Sequence, residues 1–141
     1  MRPADRPGTR RWLLLPAAVL VLSGLAAGCS SSKPAYCASA SQLQTSVQNL
    51  GNVDVATNGL GSLQTALNSV KTSASTFATD AKSAFPSQTA ALNTSLSALE
   101  TAITSAQGQP SVTAAAAVVS SVTQVKNAAS ALQSAASGKC Q

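Results

Sequence analysis

The sequence contains no histidine and has few charged and few aromatic residues. Without histidine, the chain lacks the usual general base, the Ser-His-Asp and Cys-His catalytic arrangements, and the imidazole ligands of most zinc sites. Beyond position 28 the acidic residues are Asp54, Asp80 and Glu100, and no two of them are three or four positions apart. The glycines are scattered singly, without a phosphate-binding spacing. We therefore expect no enzymatic activity, no cofactor and no metal.

What the sequence does contain is an apolar run, Leu13 to Cys29, with the layout of an export signal. The run follows the basic pair Arg10–Arg11 and ends in small residues, which is the three-part order of secretory signals. Its last four residues, Ala26–Ala27–Gly28–Cys29, resemble a bacterial lipobox, where a peptidase cuts before a cysteine whose thiol carries diacylglycerol. This pattern predicts a lipoprotein signal peptide over 1–28, lipidation at Cys29 and a flexible polar tether over 29–35.

The apolar segment has two other interpretations, a transmembrane helix and an ordinary secretory signal. A transmembrane helix is disfavoured, because about 16 apolar residues interrupted by Pro16 fall short of the roughly 20 that a bilayer needs. An ordinary secretory signal cut after Gly24–Leu25–Ala26 would release a secreted protein instead. The stretch 9–14 also resembles a twin-arginine export motif, so the export route stays open between that pathway and the general one.

Loss of the signal would change the charge of the protein. All four arginines lie within residues 1–28, and the remaining five lysines and three acidic residues give a net charge of +2. No basic patch with interleaved aromatics is left, so a nucleic-acid partner is not expected. The 113 residues from Cys29 to Gln141 are enough for one domain and too few for two.

The three cysteines are consistent with one lipid anchor and one disulfide. If Cys29 carries lipid, then Cys37 and Cys140 remain as a pair in an oxidising compartment. The alternative is that both are free, buried thiols. We predict the Cys37–Cys140 disulfide.

From Tyr36 onward, apolar residues recur every three or four positions, the spacing of amphipathic helices that pack in a bundle. Four such segments can be separated by glycine and proline. Their apolar positions are Tyr36, Ala40, Leu43, Val47 and Leu50; Leu60, Leu63, Leu67, Val70, Ala74, Phe77, Ala81 and Ala84; Leu92, Leu96, Leu99, Ile103 and Ala106; and Ala115, Val118, Val122, Val125, Ala129, Leu132 and Ala136.

The boundaries follow from turn and capping residues. An extended connector over 53–55, closed by Asn58–Gly59, is expected to separate the first two helices, with Asn58–Gly59 capping the second. Pro86 predicts a turn, with a kinked continuous helix as the alternative. Gly108 and Pro110 end the third helix, and Ser111 can cap the fourth. The valine-rich start of the fourth segment is also compatible with a strand, but its long unbroken spacing favours a helix.

The helix count and the cysteine pair can be checked against each other. In an up-down bundle of four helices, the start of the first and the end of the last lie at the same end, whereas three helices of about 20 residues would leave them some 30 Å apart. A disulfide needs Cα atoms within about 7 Å. The sequence therefore predicts an all-α, up-down four-helix bundle over 36–141.

The chain resembles small exported, helix-rich lipoproteins of actinobacteria, which have a cysteine near the mature N-terminus and another at the C-terminus. The matching features are Cys37, Val53–Asp54–Val55, Asn58–Gly59, Phe85–Pro86 and Cys140. The resemblance implies export from the cytoplasm and implies no catalytic activity.

Two functional classes remain. The first is a lipoprotein on the outer face of the cell membrane, with a structural or interaction role and an envelope-protein or cell-wall partner. The second is a lipoprotein that binds a small apolar ligand between its helices, at residues that the sequence does not identify. Small core side chains favour close helix packing over a cavity of the roughly 300 Å³ that ligand pockets usually exceed, so we favour the first.

Overall fold

The computed structural model describes residues 33–81 and 83–141. These residues form four helices: α1 (Ala35–Gly51), α2 (Val55–Ala81), α3 (Pro86–Gly108) and α4 (Val112–Ser137). Each helix packs against its two neighbours, and within the described residues no Cα atoms of the diagonal pairs α1 with α3 or α2 with α4 lie within 8 Å of each other. The predicted all-α four-helix bundle is confirmed. The segment 1–28, Cys29 and most of the tether lie outside the described residues.

The helix ends follow the predicted turn chemistry, except in the first connector. Pro86 occupies the first turn of α3, so a break and not a kink separates α2 from α3. The side chain of Ser111 accepts a hydrogen bond from the Ala114 amide at 3.0 Å and caps α4, which is helical throughout.

The first connector is more helical than the sequence predicts. Asp54 accepts hydrogen bonds from the amides of Ala56 and Thr57 at 3.0 and 3.2 Å, and so caps a helical turn that starts at Val55. That turn ends at Gly59, whose φ of 73° and ψ of 175° interrupt the helix. Asp54 therefore caps only this short turn, and the long part of α2 begins after the break at Gly59, where the sequence predicts the connector to end.

The core consists of the predicted apolar positions with a few exceptions. All five predicted positions of α3 are buried, as are six of the eight for the second helix. Two predicted core residues, Ala84 and Ala115, are exposed, and Ser121 is buried on α4 instead. Ala84 lies beyond the end of α2, and Ala115 lies on a part of α4 that no helix covers, as described below.

Candidate functional site: the two ends of the bundle and the groove beside α4

One end of the bundle is closed by the disulfide that the sequence predicts. Cys37 and Cys140 are joined, with their Cα atoms 5.8 Å apart, so the start of α1 and the end of α4 lie together. The aromatic rings of Tyr36, Phe77 and Phe85 pack beside this link, with the centroids of Tyr36 and Phe85 5.2 Å apart in an edge-to-face arrangement. We call this the disulfide end. It is also the end from which the chain leads back to Cys29.

The interior between the helices is filled by side chains. Ten large apolar side chains from all four helices are almost fully buried, among them Phe77, Leu99 and Val125. No buried side-chain nitrogen or oxygen within residues 33–81 and 83–141 lacks a hydrogen-bond partner. The five depressions that we find, of about 220 to 390 Å³, are all open to solvent. The surface is therefore the place to look for function.

The acidic residues do not converge on a reactive centre. Asp54 caps α2, where Thr57 donates from its hydroxyl and its amide and holds the pKa of the carboxyl below its usual range. Asp80 accepts a hydrogen bond from the buried hydroxyl of Ser39 on α1. Glu100 pairs with Lys71 at 2.9 Å. Each carboxylate thus has a different partner, and the described residues contain no cluster of three or more potential metal ligands.

The end opposite the disulfide carries an exposed apolar surface. Val112 and Val119 on α4 are 89% and 66% exposed. Among the described residues, they are the exposed large hydrophobic side chains. Beside Val119 is a depression of about 240 Å³ whose walls include Val55, Leu60 and Val118. Its lining is almost entirely aliphatic, since Ser111 is the one polar residue among those that form it.

This surface exists because α1 is much shorter than α4. α1 has 17 residues and α4 has 26, which correspond to about 25 and 39 Å of helix. The two helices are joined at the disulfide end, so roughly the first 14 Å of α4 extend past the last turn of α1. The connector with Val53 and Val55 covers that part of α4 incompletely. Val119 and Ala115 consequently remain open to solvent.

The depression continues along α4 towards the disulfide end. A second depression of about 270 Å³ shares Val55, Val118 and Val119 with the first and reaches Lys126. We call these two depressions together the α4 groove. Its walls include Val55, Leu60, Val118, Val119, Val122 and Lys126. Lys126 is the one titratable residue among those that line it.

Beyond Lys126 the space between α1 and α4 is lined by apolar side chains and by several amide and hydroxyl groups. A third depression, of about 220 Å³, is lined by Gln44, Gln48, Ser130 and Gln133 together with Lys126. The side-chain amide of Gln133 donates to that of Gln44 and links the two helices across it. Apolar, cationic and amide groups thus follow one another along one side of the bundle.

Val112, Val119, Lys126 and Gln133 are spaced seven residues apart on α4, so they lie along one line of the helix, about 10 Å between neighbours. The apolar periodicity that predicts the core does not include this line, because these four residues fall between the core positions. The heptad spacing of these residues could have identified the line, although it could not have shown that it is exposed.

The predicted site residues thus divide into two groups. Cys37 and Cys140 form the predicted disulfide, and Cys29 lies outside the described residues. None of the helices within 33–81 and 83–141 has the length and hydrophobicity needed to cross a membrane. Comparisons with protein-family models, with curated proteins and with solved structures give no match, so the resemblance to actinobacterial lipoproteins stays a prediction.

Proposed function

We propose that this chain is a lipid-anchored interaction protein on the outer face of the cell membrane, without catalytic activity, whose partner binds at the end of the bundle remote from the anchor. The observation that carries the proposal is the exposed apolar surface around Val112 and Val119. Exposed apolar side chains grouped around an aliphatic depression favour a protein contact over a purely structural role.

The placement of this surface suits a tethered protein. Cys29 precedes Lys33 by four residues, which span at most about 14 Å when extended. The disulfide end would therefore stay close to the lipid, while Val119 lies 18 residues before the end of α4, or about 27 Å along the helix. In this arrangement the bundle holds its apolar surface away from the membrane, where an envelope protein can reach it.

The alternative function, binding of an apolar ligand between the helices, has less support. The side chains of all four helices fill the space that such a ligand would occupy. An apolar molecule could enter the α4 groove from outside, but the groove is open along its length and would leave much of the molecule in water. Ligand pockets usually enclose 70–90% of the ligand surface.

The anchor can be tested by intact-mass analysis of the protein extracted from membranes. We expect a chain that begins at Cys29 and carries a diacylglyceryl group, and we expect Cys29→Ser to abolish both the cleavage and the modification. Cys29→Ser should leave the Cys37–Cys140 disulfide unchanged. A soluble protein with an unmodified Cys29 would contradict the anchor and favour secretion.

The interaction surface can be tested by photocrosslinking in cells that express the full chain. A photoreactive phenylalanine derivative at Val119 should give a discrete adduct with another envelope protein, and Val112→Asp in the same chain should reduce it. The matched control places the probe at Ser97, an exposed position beside the depression between α2 and α3. Equal adducts at the two positions, or none at Val119, would refute the proposed surface.

A further inference from the structure

The α4 groove combines an aliphatic surface with one positive charge. Val119 and Lys126 are seven residues apart on α4, so their Cα atoms are separated by about 10 Å along the helix. Both line the depression of about 270 Å³. A partner that fills the groove would therefore meet an apolar contact and an ammonium group at a fixed spacing.

The side chain of Lys126 lies beside the end of α1. Gly51 has no side chain, and the place where a Cβ would stand lies 3.4 Å from Cδ and 3.6 Å from Cε of Lys126. The methylene groups of the lysine therefore rest on the backbone of the last turn of α1. The residue is nevertheless exposed to solvent. Its ammonium group thus lies at the edge of the groove, beside the last residue of α1, and is accessible to a partner.

The acidic residues of the described chain are already engaged elsewhere. Asp54 accepts hydrogen bonds from Thr57 and from backbone amides, Asp80 accepts one from Ser39, and Glu100 is paired with Lys71. Among the side chains of a second copy of this chain, each carboxylate would have to share or exchange an existing contact in order to pair with Lys126. The charge of the groove therefore fits a carboxylate from a different molecule.

The groove also has no surface suited to a sugar. The three aromatic residues of the described chain are grouped at the disulfide end, while the groove is lined by aliphatic side chains. Mainly aliphatic walls with one charged group, Lys126, suit an apolar side chain and a carboxylate on one polypeptide.

Building on the proposed function, we infer that the α4 groove binds a polypeptide segment of another envelope protein, with an apolar side chain beside Val119 and an Asp or Glu carboxylate paired with Lys126. If the partner's segment is helical, its apolar residue and its acidic residue should be seven positions apart. Two turns of helix then span about 10 Å, the distance between Val119 and Lys126 along α4. The apolar contact supplies affinity and the ion pair fixes the register of the segment along α4.

The test uses the full chain in cells, with the photoreactive residue at Val119 as the probe. Lys126→Met keeps the methylene stem over Gly51 and removes the charge, and Lys126→Glu reverses it. We expect the first to lower the Val119 adduct about fivefold, the upper range for a single exposed ion pair, and the second to lower it further. Lys71→Met removes a charge from the opposite face and should leave the adduct unchanged.

The captured peptide, mapped by mass spectrometry, should contain an acidic residue. Changing that residue to Lys should restore capture by the Lys126→Glu chain, a reciprocal rescue that loss of folding would not produce. If the Val119 adduct forms but neither Lys126 variant alters it, the inference fails while the proposed surface stands. Capture of a lipid, a glycan or a second copy of this chain would also overturn the inference. Absence of any adduct specific to Val119 removes both proposals.

Discussion

Two glycines at the start of α2, two positions apart, should respond in opposite ways to the same substitution. Gly59 has a φ of 73° and a ψ of 175°, whereas Gly61 has helical dihedral angles. For both residues, no atom lies within 4 Å of the position that a Cβ would take. Replacement by Ala therefore meets no atom beyond the local backbone at either site, and the difference between the variants reports the backbone conformation alone.

The expected magnitudes follow from this conformational difference. Ala reduces the freedom of the unfolded chain equally in Gly59→Ala and Gly61→Ala, and this stabilises the protein by about 0.4–1 kcal/mol where the native conformation suits Ala. At Gly61 that gain should appear in full. At Gly59 the backbone lies in a region essentially confined to glycine, so strain of about 1–3 kcal/mol is added. Gly59→Ala should therefore destabilise the protein or, at the lower limit, leave it nearly unchanged.

Thermal unfolding followed by far-ultraviolet circular dichroism measures the difference. One kcal/mol moves the Tm of a domain near 100 residues by about 4 °C or more, so the two variants should differ by roughly 4 to 15 °C. Gly59→Asn is the informative control. Asn tolerates the left-handed helical region, where ψ is about 47°, but the ψ of Gly59 is far from that value. Asn should therefore not restore the stability that Ala loses at this position. Two Ala variants with the same Tm would refute the assignment of strain to Gly59.

Three further predictions concern the disulfide, the first cap and the core. Cys37 and Cys140 are 103 positions apart in the sequence. Reduction of this disulfide should retain most of the helical dichroism but lower the free energy of unfolding by about 4–5 kcal/mol in the chain-entropy model. An unchanged denaturant midpoint after reduction would contradict this. Because the folded pKa of Asp54 is lowered, its stabilisation is complete above the unfolded value of about 3.9 and is lost as the pH falls through the folded value. Asp54→Asn should therefore flatten the acid limb of stability against pH, and an unchanged limb would show that the cap does not contribute. Phe77→Ala removes a fully buried ring and should cost about 3–5 kcal/mol in urea unfolding, whereas Val112→Ala, at an exposed position, should change the midpoint little.

Much of the fold could be predicted from the sequence because helix packing depends on spacing that is visible along the chain. Leu92, Leu96, Leu99, Ile103 and Ala106 recur at intervals of three and four, and all five are buried in α3. The breaks at Pro86 and Gly108 are equally local, since proline and glycine act on their own backbone. The Cys37–Cys140 link then required the start of α1 and the end of α4 to lie at one end of the bundle, and the structure places them there.

The surface that we propose as functional was decided by tertiary structure. Periodicity shows which residues share one side of a helix, but not whether another helix covers that side. Val112 and Val119 remain exposed because α1 ends at Gly51, before it can cover the first turns of α4. For the same reason Ala115, which has the spacing of a core residue, lies open to solvent. Burial depends on the relative lengths and positions of neighbouring helices, and these are set only when the four helices pack together.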